Sequence, residues 1–201
     1  MKYLKSFTFL TLLLMGSMAS AQCECSANYE DGWCWGADPD KAKEKNALYT
    51  DSYKVDNFEA AAADLKWLLE NTPCLNKSIY INGANIYENL ANIEKDPALQ
   101  AEYAAKTMEM FDRRIEYFGE EAKVLNYKAY VAYKLLKNDS KSYQQLLDLF
   151  DKTYELNGNE LFPNNIIAYM DVIRRYKAVG NTISDDAVFE RYFGVSDVMD
   201  Y

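Results

Sequence analysis

The stretch WLLENTPCLNKSIY, from Trp67 to Tyr80, ends one apolar helical stripe and starts another with only a few residues between them. Upstream of it, Phe58, Ala61, Ala62, Leu65, Leu68 and Leu69 recur at three- and four-residue steps, which places them on one face of a helix. Pro73 has no N–H to continue that helix, and Asn76 offers a side-chain oxygen to start the next. The stretch therefore predicts a rapid reversal, with the second helix folded back on the first. Cys74 sits at the joint.

The same punctuation recurs along the chain. Asp38-Pro39 opens a helix over 38–54, and the turn Val55-Asp56-Asn57 separates it from a helix over 58–71. Further helices are predicted over 77–93, 98–118, 120–136, 141–156 and 163–179, with an eighth starting at Ser184 or Asp185. Gly119, Asn157-Gly158-Asn159 and Gly180-Asn181 mark the breaks. Val-, Ile- and Thr-rich runs of period two are missing, so no sheet is predicted. An aromatic opens the second helix of each early pair, at Phe58, Tyr103 and Tyr143, a repeat of roughly 40 residues. Repetition at that period predicts an all-α fold of about four stacked helical hairpins, because one hairpin cannot bury its stripe alone.

The N-terminus predicts export. Lys2 and Lys5 precede an apolar run over 7–15, and Ala19-Ser20-Ala21 matches a signal-peptidase site. The expected organisation is a signal peptide over 1–21, a Cys-rich leader over 22–40 and a helical domain over 41–201. The chain stops inside a predicted helix, so a longer array is expected. Gln22 before Cys23 argues for a released protein rather than a lipid-anchored one.

The formal net charge is −9, and cleavage would remove two lysines. An acidic chain gains nothing from nucleic acid or an anionic membrane surface. There is no histidine, which removes the commonest general base and metal ligand. Four cysteines in an exported chain predict disulfides, with three possible full pairings. Antiparallel packing would bring the end of the 58–71 helix beside the chain just after Cys34. Cys34–Cys74 is therefore the expected bridge, leaving Cys23 and Cys25 to pair with each other or with a partner.

Leu48, Tyr49, Phe58, Ala61, Leu65, Leu68 and Pro73 match the landmarks of one tetratricopeptide repeat over 42–75. Gly83, Ala104 and Met108, and then Ala129, Tyr143 and Phe150, match more loosely in the next two pairs. The chain thus resembles the tetratricopeptide-repeat family. Through the W-L-x-x-N-x-P-x-x-N-K-x-I-Y-x-x-G stretch and the Tyr117-Phe118-Gly119 turn it is similar to exported members from Bacteroidetes-type bacteria. The resemblance implies a right-handed solenoid, a periplasmic location and little about activity.

In that family the first helix of each pair lines a concave groove. Transferring that face selects Lys43, Asn46, Thr50 and Tyr53, then Lys77, Tyr80, Ala84 and Tyr87, then Lys123, Asn126, Tyr130 and Tyr133. Of these, Asn46, Tyr53, Tyr80, Tyr87, Lys123, Asn126, Tyr130 and Tyr133 are the expected partner-binding residues. Tyrosine gives contact area at low entropy cost, and lysine and asparagine can hold a backbone or carboxylate. Paired acids at Glu120-Glu121 and Asp185-Asp186 fall at predicted helix starts, where they complement the dipole. Phosphate-binding loops, nucleophile elbows and histidine-based metal motifs are missing from the sequence, so neither a catalytic residue nor a metal or cofactor is expected. The expected function is a non-enzymatic periplasmic scaffold for a protein or peptide partner. A glycan-binding accessory component or a structural part of an envelope complex is the alternative. Tryptophan would be expected in a sugar-binding groove, whereas Trp33 and Trp35 lie in the leader and Trp67 on a second helix.

Overall fold

The computed structural model describes Cys23, Cys25, residues 28–180 and residues 183–196. The expected signal peptide and its cleavage site lie outside these residues. Among them are eight α-helices, and five begin beside a side chain that accepts from a free backbone N–H: Asp38, Asn57, Asn76, Asp96 and Ser184. α1 (Pro39–Lys54) starts on Asp38, which accepts from Lys41 N, with Pro39 in the first turn. α2 (Phe58–Asn71) starts on Asn57, which accepts from Ala60 N. At its end Thr72 is buried, and both its N–H and its hydroxyl donate to Leu68 O.

After Pro73 the chain turns within a few residues. Asn76 Oδ1 accepts from Ser78 N at 2.8 Å, and α3 (Ser78–Ile93) begins there. α4 (Pro97–Phe118) is capped by Asp96 and ends at Gly119, whose φ of 69° suits a residue without Cβ. α5 (Glu121–Leu136), α6 (Tyr143–Asn157), α7 (Pro163–Ala178) and α8 (Asp185–Ser196) complete the series, with single 3₁₀ turns before and after α6. The expected helix at 141 starts two residues later, because Ser140–Ser142 form one of those turns.

Successive helices pack on one another along the chain, and α5 also touches α3 and α7. One core gathers Leu65, Leu68, Ile79, Ile86 and Met110 from α2, α3 and α4, all fully buried or nearly so. A second gathers Ala129, Leu146, Phe150, Val172 and Ile173 from α5, α6 and α7. Met108 packs against both. Each buried Leu or Ile contributes roughly 1.5–3 kcal/mol, so the shared apolar faces hold the helices together. Gly83 permits a close approach of the helices: a Cβ there would lie 2.9 Å from Met110 Sδ and 3.2 Å from Leu65 Cδ2.

The leader departs from expectation twice. It contains a two-stranded antiparallel hairpin, β1 (Tyr29–Glu30) and β2 (Trp33–Cys34), with Tyr29 opposite Cys34. Its turn is Asp31-Gly32, both with positive φ, a dipeptide suited to the tight hairpin turn whose twist matches the strands. The disulfides are Cys23–Cys74 and Cys25–Cys34, not Cys34–Cys74. Cys34 does reach the joint, since its N–H donates to Leu75 O at 3.0 Å. The hairpin, however, doubles the leader back so that Cys25 meets Cys34. Cys23, whose N–H donates to Tyr117 O, is the cysteine that pairs with Cys74.

Candidate functional site: a groove across α1, α3 and α5

On a helix, positions i, i+4 and i+8 fall close to one line. On α3 and the residue before it, Lys77, Ile81 and Asn85 form such a line. On α5, Lys123, Tyr127 and Val131 form another. Together with Tyr53 of α1 they line a depression of about 420 Å³, floored by Ala84 and Phe111. A second depression, of about 470 Å³, continues from Lys123 and Tyr127 to Asn157 and Phe162 at the α6–α7 corner. The two depressions adjoin at these shared residues. Ile81 and Tyr127 are 44 % and 45 % exposed, unusual for large apolar side chains in the middle of helices. Tyr127 is braced edge-on against Phe162 at 5.1 Å between ring centres. Tyr53 donates to Asn85 Oδ1 at 3.1 Å, linking α1 to α3 across the groove wall.

The charge on this wall is mostly positive. Lys77, Arg114 and Lys123 line it, against Glu88, whose carboxylate pairs with Lys134. Among the described residues Lys123 has no ion-pair partner. Arg114 is buried, its side chain 6 % exposed, and its one hydrogen bond goes to Glu120 Oε2 at 3.0 Å. Its Nε, closed off from solvent, has no partner. Glu120 takes up the left-handed backbone conformation, φ 60°, and makes no side-chain cap to α5. Its carboxylate serves Arg114 and, at 3.3 Å, Lys77 instead. The Arg114 hydrogen bond, helped by Lys77 and opposed by burial, holds the Glu120 carboxyl below its ordinary range. Glu120 stands at the start of α5, where its charge was expected, and it also anchors two cations of the groove. Of its companions, Glu121 pairs with Lys152 and Asp185 with Lys177.

The eight expected partner-binding residues separate into two groups. Tyr53 and Lys123 line the groove. Tyr80 is 1 % exposed although it touches the groove floor; its hydroxyl donates to Pro73 O, and its ring stacks on Tyr117 under Arg113. Burial pushes its phenol up. Tyr87 is buried against Tyr103 and Lys106. Asn126 is buried and fully employed: its amide donates to Asn157 Oδ1 and Glu160 O, and its Oδ1 accepts from Phe162 N and Asn165 Nδ2. Tyr130 and Tyr133 are partly buried against the second core, and Tyr133 donates to Asp171 Oδ2 at 2.9 Å. Asn46 is partly buried, and its Oδ1 lacks a partner.

The physical reason is angular. One residue is 100° of a helix, so a face read one position too early turns inward. Lys77 and Lys123 line the depression, and the lines through them continue to Ile81 and Tyr127 rather than to Tyr80 and Asn126. Of the missed groove residues, Ile81, Asn85 and Tyr127 carried one usable signal, the i, i+4 spacing from each lysine, whereas Phe162, at the α6–α7 corner, carried none.

A third cleft, of about 630 Å³, lies on the leader side of Lys77. Among the described residues no group of His, Cys, Asp or Glu is placed to hold a metal ion. None of the helices described is long and apolar enough to cross a membrane. Comparison with family models, with curated proteins and with solved structures gives no match.

Proposed function

We propose that the chain is a non-enzymatic, exported scaffold of the tetratricopeptide kind that holds a protein or peptide segment in the groove across α1, α3 and α5. The observation that carries this is a pair of adjoining depressions with exposed apolar side chains, Ile81 and Tyr127, beside Lys123, which has no ion-pair partner among the described residues. Exposed apolar groups in a concave site mark a place for a partner, and a rigid aromatic anchor supplies area at low entropy cost. A cationic wall on an acidic protein favours a segment bearing carboxylates.

The helix packing supports a solenoid of about four helix pairs. Neighbours along the chain pack together, and α5 touches the odd-numbered helices on both sides, as stacked hairpins require. The handedness proposed is right-handed, following the resemblance. The two disulfides fit an oxidising compartment, and the periplasm of a Bacteroidetes-type cell is the one proposed.

Panning a displayed peptide library against the mature chain tests the reading. Enriched segments are expected to combine an apolar or aromatic residue with acidic ones. Their capture should be lost in the Ile81→Ala, Tyr127→Ala double variant while its circular dichroism stays that of the wild type. Equal capture by the double variant would refute the groove.

A further inference from the structure

We propose that the cleft between the leader and the starts of α3 and α5 is a carbohydrate site, taking a short neutral oligosaccharide of pyranose rings. It adjoins the groove at Lys77, which lines both, and goes beyond the scaffold reading. The tryptophans first argued against sugar because they lie in the leader, outside the groove. The fold brings the leader back against the array, and Trp33 becomes part of a cleft wall.

The wall has the chemistry such a ligand needs. Four aromatic side chains line it: Tyr29, Trp33, Tyr117 and Phe118. Trp33 is held flat by Trp35, with ring centres 5.2 Å apart and planes within 10°, so the platform is fixed before any ligand arrives. A pyranose offers a face of C–H groups to such a ring and keeps its hydroxyls for the rim. The volume, about 630 Å³, falls within the range of small-molecule sites, ~300–1,000 Å³.

The polar groups agree. Asn76 Oδ1 accepts from Ser78 N, which settles the orientation of the amide. Its Nδ2 then has no partner and is shut away from solvent, a donor left without an acceptor at a residue of the cleft. Once the Asn76 side chain turns its amide into the cleft, a sugar hydroxyl, both acceptor and donor, can complete such a set. The two charged residues of the wall, Lys77 and Glu120, pair with each other. Glu120 also pairs with Arg114, so both wall charges are already engaged, and a neutral polyol meets a donor and an acceptor side by side. An aliphatic side chain would use the rings and leave Asn76 and the ion pair unused.

The site is built by the leader. Tyr29 and Trp33 stand on the hairpin, which Cys25–Cys34 closes and Cys23–Cys74 ties to the joint after α2. Backbone bonds from Cys34 N to Leu75 O and from Cys23 N to Tyr117 O hold it over α3 and α4.

Isothermal titration and intrinsic tryptophan fluorescence on the mature, oxidised chain provide the test, with maltohexaose, cellohexaose, xylohexaose, mannohexaose and chitohexaose as probes. At least one is expected to bind saturably with a Kd of about 1 mM or tighter and to shift the tryptophan emission. Trp33→Ala should weaken that binding at least about tenfold. Tyr29→Ala should weaken it too, and its 69 % exposed ring leaves little of the fold at risk. Tyr127→Ala in the groove should bind as wild type does. No binding of any probe at about 10 mM, or unchanged affinity in both leader variants, overturns the proposal. Loss in Tyr127→Ala instead would place the sugar in the groove and equally overturn the cleft assignment. Peptide capture through Ile81 and Tyr127 is a separate readout, so failure of one site is distinguishable from failure of the other.

Discussion

Asn126 and Tyr127 are adjacent in sequence and opposite in role. Asn126 is 2 % exposed and ties α5 to Asn157, Glu160, Phe162 and Asn165, whereas Tyr127 stands in the groove. Asn126→Ala strands several buried donors and acceptors at once, each costing about 1–3 kcal/mol. A loss of at least about 2 kcal/mol in a urea melt is expected, against less than about 1 kcal/mol for Tyr127→Ala. Comparable losses would mean that the helix face is misplaced. Asp171 gives a second residue-scale prediction. Burial raises its pKa, but hydrogen bonds from Arg175, Arg174 and Tyr133 outweigh that and lower it to about 2. A carboxyl whose pKa is depressed on folding stabilises the fold above its ordinary pKa of 3.8, and that stability is lost as pH falls towards about 2. Wild-type stability should therefore drop through this window. Asp171→Asn should be less stable at neutral pH and show a smaller acid loss, as chemical denaturation at a series of pH values would reveal.

At the scale of elements, the leader hairpin and its two bridges are the part that sequence spacing misjudged. The Cys23–Cys74 bridge spans 51 residues and Cys25–Cys34 spans 9. Chain-entropy arguments give about 4 kcal/mol for the longer loop and about 2.5 kcal/mol for the shorter. Replacing Cys23 and Cys74 by serine should accordingly destabilise more than replacing Cys25 and Cys34. Peptide mapping of the unreduced protein should recover these two pairs, and a Cys34–Cys74 peptide would contradict the fold of the leader. The helices themselves were legible, because their stop and start signals are local: Asp38-Pro39, Asn57, Pro73 with Asn76, Asp96-Pro97 and Gly119 each act within one turn. The hairpin was missed: Asp31-Gly32 was its local signal, but a two-residue strand leaves no periodic pattern to find.

For the whole molecule, the consequence of helix stacking is that groove residues distant in sequence act together. Lys77 and Lys123 come from different hairpins and face one depression. Lys123→Ala should weaken binding of an acidic peptide, and the difference from wild type should shrink with added salt, because exposed charges are screened beyond a Debye length of about 8–10 Å. A salt-independent loss, read by fluorescence anisotropy at two ionic strengths, would argue that Lys123 acts through packing rather than charge.

The sequence by itself determined the helices, their order and the fact of disulfide bonding, since those follow from short-range signals and cysteine content. It also placed one edge of the groove through Lys77 and Lys123. Only the tertiary structure decided which way each tyrosine turns. Tyrosine is apolar enough for a core and polar enough for a surface, so Tyr80, Tyr87 and Tyr127 are indistinguishable as residue types. What separates them is 100° of helix rotation per residue and the neighbours that fill the inner side. Disulfide pairing was likewise decided in three dimensions. It depends on where the hairpin returns the chain, and distances along the sequence carry no information about that.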